Sequence, residues 1–319
     1  MAAYPENTAA RNAWILARRG LRNLVDPRRP WEFFVEEERS AAGEIVPVAT
    51  IFLTNRECPW RCLMCDLWKN TLENVTAAGA IPTQIDYALE QLPAARQVKL
   101  YNSGSFFDRR AIPLEDHAAI AARVGGFERV IVECHPALAA ADCFAFRDRL
   151  HGRLEVAMGL ETVHPEILSR LNKRMTLEQF RAAADRLHEG DVDLRVFILV
   201  KPPFMREEEA AEWAARSLDF AFECGATAAT LIPTRGGNGA MEALAVNGDF
   251  ASPRIATVET AAEYGIKLGR ARVFVDLWDL RRSPRCEACH ERRTDRLHAM
   301  NLEQCVLARV ECEECGSRS

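Results

Sequence analysis

The chain has 319 residues, 48% hydrophobic and 27% charged, an ordinary globular composition that excludes disordered and fibrous classes. Its length suits one barrel-sized domain with appendages. Its formal net charge of −5 offers no general attraction to phosphates, so a nucleic-acid partner needs a local basic patch.

No apolar run reaches the roughly 18 to 20 residues that span a bilayer, and the N-terminus lacks a signal peptide's apolar centre; a cytoplasmic protein is expected. Residues 1 to about 30 carry Arg11, Arg18, Arg19, Arg22, Arg28 and Arg29 against only Glu6 and Asp26. They read as an amphipathic helix followed by a Pro-marked turn, expected to pack on the rest of the protein rather than to bind phosphate. From Pro47 onward the runs PVATIFL, QVKLY, ERVIVE, LEVAM, LRVFILV, TAATLI and RVFVD read as strands. The stretches around 82–92, 114–124, 136–150, 176–188 and 207–223 read as helices. Thr176 and Gln179 form a capping box that marks one helix start. Six or seven βα units imply an α/β fold with a parallel sheet, in a full or partial barrel. The expected division is an N-terminal helical extension over 1–46, the barrel over 47–280 and a cysteine-rich module over 281–319.

In such a fold the chemistry sits on loops that follow the C-terminal ends of the strands. The motifs fall there: Cys58, Cys62 and Cys65 after the first strand run, NSGSFFD after QVKLY, Glu133 ending ERVIVE, Gly159 to Thr162 after LEVAM, and Lys201-Pro202-Pro203 after LRVFILV. Seven of the eleven cysteines form two groups, Cys58/62/65 and Cys286/289/312/315, whereas Cys134, Cys143, Cys224 and Cys305 stand among apolar neighbours and read as core. Three close thiolates suit a 4Fe-4S cluster with one iron left open. A structural zinc site would need a fourth ligand that the nearby sequence lacks.

The run Cys58-Pro-Trp-Arg-Cys62-Leu-Met-Cys65 resembles the signature of the radical S-adenosylmethionine (SAM) superfamily. The resemblance implies a partial (β/α)6 barrel of the TIM type, a 4Fe-4S cluster whose open iron chelates SAM, and reductive cleavage of SAM to a 5′-deoxyadenosyl radical. It places Met64 beside the adenine, where an aromatic residue is common. It places Ser103, Gly104 and Ser105 in a Gly-rich turn that meets the SAM amino group, and Glu133 and Glu161 against the ribose or amino-acid part. Lys201 is the residue expected to face substrate or SAM. A flavodoxin or ferredoxin-type electron donor is expected. Asp66 to Asn70, Asn102 to Asp108, Gly159 to Thr162, Asn172-Lys173 and Lys201 to Phe204 look like a narrower group, the radical SAM subunit of archaeosine synthase and its uncharacterised relatives. That likeness implies a carbon–nitrogen lyase acting on a modified tRNA. The alternatives are a radical SAM enzyme for a small molecule or peptide, and a non-catalytic iron-sulfur or zinc module.

Cys286-Glu-Ala-Cys289 and Cys312-Glu-Glu-Cys315 form two C-x-x-C knuckles, a metal signature that fits zinc or a second 4Fe-4S cluster. His290 and Cys305 are spare ligands. The surrounding Arg281, Arg282, Arg285, Arg292, Arg293 and Arg296 offer a second place for phosphate contact.

Overall fold

In the computed structural model, which describes residues 3–278, 280 and 286–315, the apolar runs after Pro47 form strands separated by helices. The order is α1 (Thr8–Leu16), β1 (Glu32–Arg39), β2 (Ile45–Phe52), α2 (Ala80–Leu89), β3 (Gln97–Tyr101), α3 (His117–Arg123), β4 (Arg129–Glu133), α4 (Ala141–Arg147), β5 (Arg153–Glu161) and α5 (Pro165–Arg170). It continues with α6 (Leu177–Glu189), β6 (Asp193–Val200), α7 (Glu207–Glu223), β7 (Ala228–Pro233), α8 (Ala240–Val246), α9 (Ile255–Leu268), β8 (Arg272–Val275) and α10 (His290–Glu303). The strands form one sheet in chain order. β1 is antiparallel to β2, and every later neighbour pair is parallel. The expected partial barrel is present. The stretch over 1–46 is only partly helical, because its Glu-rich run EFFVEEER pairs with β2 as an edge strand.

Each parallel strand is covered on both faces, which is why the runs read as nearly continuous apolar segments. Val98, Leu100, Val130, Val132, Val156, Val196 and Ile198 pack outward under the helices. The capping box at the start of α6 forms: Gln179 N donates to Thr176 Oγ1 at 3.2 Å and Thr176 N to Gln179 Oε1 at 3.0 Å. Alternation turns Lys99, Glu155 and Arg195 inward, where they build an ionic layer. Lys99 Nζ lies 2.8 Å from Glu36 and 2.6 Å from Glu38. Arg195 bridges Glu38 at 2.5 Å and Glu155 at 2.6 Å, and Glu155 also meets Arg129 and Arg272. Two residues further along the strands, toward the rim, stands an aromatic layer in which Tyr101 meets Phe52 at 5.9 Å and Phe197 at 6.2 Å, while Phe34 stacks on Trp278.

The sheet does not close between β1 and β8, and α10 fills the space. Two of its side-chain amides act as substitute strand partners for β8. Asn301 accepts from Val275 N at 2.8 Å and donates to Val275 O at 2.9 Å. Gln304, just past the helix, does the same for Val273 at 2.7 and 2.9 Å. This arrangement hides an edge that would otherwise invite pairing with another chain. Asn301→Leu leaves a backbone donor and acceptor without partners and is expected to cost about 1–3 kcal/mol. An unchanged urea midpoint would show that α10 covers the edge without these bonds.

Of the scattered cysteines, Cys134, Cys143 and Cys224 are buried as expected, but Cys305 is exposed. It follows the end of α10, where the chain turns out toward solvent.

Candidate active site

Thr54, Asn55, Arg56 and Glu57, then Pro59, follow β2 and let the chain leave the sheet as a loop rather than continue as a strand. That loop carries Cys58, Cys62 and Cys65 at the rim where the parallel strands end. Its shape is set from several sides. Leu63 N donates to Leu171 O at 2.9 Å. Asn172 Nδ2 donates to Arg61 O at 2.7 Å, and Asn238 Nδ2 to Leu63 O at 2.8 Å and Cys65 O at 3.2 Å. Glu57, just before the first cysteine, binds the guanidinium groups of Arg19, Arg22 and Arg61. Trp60, inside the loop, stacks on His135 with centroids 3.8 Å apart and planes 10° from parallel. Ala137 N donates to His135 Nδ1, so Nε2 carries the proton and donates to Lys173 O at 3.2 Å. Burial and nearby Lys173 push His135 down to about 4, which keeps it neutral.

Arg11, Arg18, Arg19 and Arg22 are committed to this same construction. Arg18 stacks on Trp14 at 3.6 Å, and Arg11 donates to the carbonyls of Pro5 and Ser169. Trp14 and Ile15 of α1 pack against Leu63 of the loop and Met241 and Leu244 of α8. Arg28 is exposed, and Arg29 lies 3.8 Å from Asp26. The expected packing of this helix is borne out.

Met64 is half-buried and packs against the buried cluster that includes Trp14, Ile15, Leu63 and Met241. Asn102 to Ser105 follow β3; Ser103 takes a left-handed φ of 51°, and glycine at 104 lets the turn come close to the loop, since a Cβ there would lie 3.2 Å from the Cβ of Cys58. Glu133 holds this turn from below, accepting Asn102 N at 2.9 Å, with further bonds from the amides of Ser103 and Gly104. The Ser105 hydroxyl accepts from His135 N at 3.1 Å. Glu161, at the end of β5 with φ 67°, lies 2.5 Å from Lys173 Nζ, and both are buried. Lys201 is also buried with a positive φ of 57°; its ammonium donates to Ala251 O at 2.5 Å and lies 3.5 Å from Glu207.

Burial pushes the thiols of Cys58, Cys62 and Cys65 up to about 12, although Lys173 opposes the rise at Cys58 and Cys62. Without a cation they are thiols; as ligands they must lose their protons. Burial likewise raises Glu133 to about 7 against its three amide donors. An unfolded glutamate titrates near 4.3, so between these values the folded state holds a proton that the unfolded state has released. Stability therefore falls as pH rises from about 4.5 to 7 and levels above. In cluster-free protein, Glu133→Gln is expected to flatten that slope in urea midpoints measured from pH 5 to 8; a variant keeping the full slope would assign the titration elsewhere.

No family model matches the chain. An uncharacterized protein of Methanocaldococcus jannaschii is 27% identical over 228 residues, 66% of this chain and 62% of that protein. Archaeosine synthase subunit beta of Methanosarcina acetivorans is 27% identical over 185 residues, 53% of each chain. The structure of methylornithine synthase superposes with a TM-score of 0.52 at 11% identity, covering 83% of this chain and 68% of that one, and so shares its fold. The chain resembles the radical SAM superfamily. Archaeosine-synthase-like proteins are among its relatives. It spans between 53% and 62% of the lengths of the two curated relatives just described.

Several residues of this site escaped the sequence reading. Asn238 and Glu57 had no motif to mark them, since their partners lie far along the chain or on the N-terminal arm. Trp60 was visible within the cysteine signature but with no role of its own, and His135 only as a loop residue after ERVIVE. The Asn102 carboxamide is fully buried with neither its oxygen nor its nitrogen bonded.

At the C-terminus, the Sγ atoms of Cys286, Cys289, Cys312 and Cys315 all lie within 4.8 Å of one another and could hold a metal. His290 is not among them; its Nε2 bonds Leu280 O. Arg292, Arg293 and Arg296 bond Glu311 O, Glu259 and Glu263. Arg281, Arg282 and Arg285 lie outside the described residues. Among the described residues no helix is long and apolar enough to cross a membrane.

Proposed function

We propose that this chain is a radical SAM enzyme in which Cys58, Cys62 and Cys65 ligate a 4Fe-4S cluster whose open iron binds SAM. The observation that carries this reading is the meeting at one rim of three half-buried cysteines, a turn without a Cβ against Cys58, and the unbonded carboxamide of Asn102. A buried amide with no partner costs free energy unless a ligand completes it. When bound, the cluster supplies one electron that cleaves SAM to methionine and a 5′-deoxyadenosyl radical.

The chain's own residues bind and orient. Asn238, Asn172 and Glu57 fix the loop, so the three sulfurs are aimed before metal arrives. Glu133 holds the Asn102–Gly104 turn for the SAM amino group. Lys173 balances thiolate charge, and Glu161 accepts from the SAM ammonium or ribose. Met64 packs beside the adenine. Lys201 faces substrate or SAM by exchanging the Ala251 carbonyl for it. The aromatic layer of Phe52, Tyr101 and Phe197, just inside the rim, forms the floor of the site.

The finer reading is carbon–nitrogen bond cleavage in a modified tRNA, supported by the archaeosine synthase relatives. The internal pairing of the N-terminal arginines favours instead a small molecule or peptide. tRNA binding that weakens with salt supports the first; no salt-dependent binding supports the second. A flavodoxin or ferredoxin delivers the electron. Anaerobic reconstitution with iron and sulfide, then SAM and a reductant, should yield 5′-deoxyadenosine. Bound cluster with no SAM cleavage would overturn the enzyme reading and leave a non-catalytic metal module.

A further inference from the structure

We infer that Cys286, Cys289, Cys312 and Cys315 hold one zinc ion, not a second iron-sulfur cluster, and that this ion pins α10 across the gap between β1 and β8. The spacing of the sulfurs decides between the two metals. Cys286 Sγ lies 3.7 Å from Cys312 Sγ, and Cys289 Sγ 3.5 Å from Cys315 Sγ. All four thiols are free, so these contacts are not disulfides. Zinc–sulfur bonds of about 2.3 Å in a tetrahedron put the sulfurs about 3.8 Å apart. On a cluster each thiolate caps its own iron and points outward from the cube, so the sulfurs stand much farther apart. Thiolates drawn together this closely share a single ion.

The placement gives the ion its work. Cys289 is buried and immediately precedes α10, while Cys312 and Cys315 belong to the returning chain. One ion therefore ties both ends of the segment. Between them, Arg293 and Arg296 pair with Glu259, Arg296 and Arg309 with Glu263 of α9, and Asn301 and Gln304 cover β8. On the other side Arg39 of β1 reaches Leu302 O at 3.4 Å. α10 is polar over much of its surface and buries few apolar residues, namely Leu297 and Met300. A segment with so little core of its own needs a cross-link to stay folded against the barrel.

The test counts metal and acid-labile sulfide on anaerobically purified full-length chain. It compares wild type with Cys286→Ser/Cys289→Ser and with Cys58→Ser/Cys62→Ser/Cys65→Ser. Wild type should hold about one zinc and about four irons. The triple variant should keep zinc and lose iron, and this holds whether or not the radical chemistry is confirmed. About eight irons in wild type, or iron in place of zinc at the C-terminal site, overturns the assignment. If the double variant fails to fold, cobalt exchanged into the wild-type protein serves instead. Tetrahedral tetrathiolate absorption bands support the site, and their absence overturns it. Pinning is read by hydrogen exchange after a thiol reagent strips the ion. The amides of Val273 and Val275 should exchange at least about tenfold faster while those of Val130 and Val132 stay protected. Equal protection at β8 before and after overturns the pinning role.

Discussion

Replacing Arg195 by methionine is expected to lower the unfolding free energy by about 3–5 kcal/mol, the cost of removing one partner from a buried ion network. Arg195 is 2% exposed and bridges two carboxylates, Glu38 and Glu155, of which Glu155 is fully buried. The inward set is balanced: Lys99, Arg129, Arg195 and Arg272 against Glu36, Glu38, Glu155 and Asp193. Removing one guanidinium leaves an excess negative charge where water does not reach. The attraction of Arg195 and its neighbours holds Glu155 down at about 2 and Glu38 well below the ordinary carboxylate range, even though burial alone would raise both. Both carboxylates therefore contribute stability that is full above the unfolded value near 4.3 and is lost as pH falls toward the folded value. Arg195→Lys should recover only part of the loss, because an ammonium cannot span two carboxylates with a planar fork. Urea unfolding at pH 7 measures it. A loss below about 1 kcal/mol for Arg195→Met would mean that solvent reaches this layer.

The same network shows where the sequence stops being readable. Lys99, Glu155 and Arg195 each appear once within an apolar run, and one charge in a strand reads as a solvated position or a strand end. Only the curl of the sheet brings these single charges together, with Arg195 between Glu155 and Glu38 and Lys99 also on Glu38. β1 was hidden for a related reason. Its glutamates look like a solvated stretch, yet Glu36 and Glu38 are the counter-charges for Lys99 and Arg195. By contrast, the cysteine triad was legible because its spacing is local and the strand before it is strongly apolar. The Asn102–Ser105 turn and the end of β5 were legible for the same reason: a polar loop follows each β-branched run. What local pattern does not carry is the buttressing from afar, as with Asn238 reaching the loop carbonyls or Asn301 completing β8. Those contacts depend on topology, and a side-chain amide looks alike in sequence whether it faces water or a strand edge.

Substituting alanine for Gly159 is expected to reduce SAM cleavage on the order of 100-fold while costing only about 1–3 kcal/mol of stability. An added Cβ would stand 2.2 Å from Glu161 Oε1 and 2.3 Å from Lys173 Nζ. Both atoms end flexible side chains, so the chain can still fold by swinging them aside. They are nevertheless buried and bonded to each other at 2.5 Å, and the backbone beneath them is already irregular, with a register shift between Gly159 and Glu161. Lys173 is a cation that acts on Cys62 and Cys58, so displacing the pair changes the charge beside those thiols. Cluster content and turnover therefore separate the possibilities. Retained iron with slow 5′-deoxyadenosine formation, together with a near-normal urea midpoint, fits a pair that positions SAM. Lys173→Met should resemble Gly159→Ala in turnover yet be less stable, because it strands Glu161 without a counter-charge. Wild-type rates in Gly159→Ala with cluster intact would remove Glu161 and Lys173 from the cofactor site and leave them a purely structural pair.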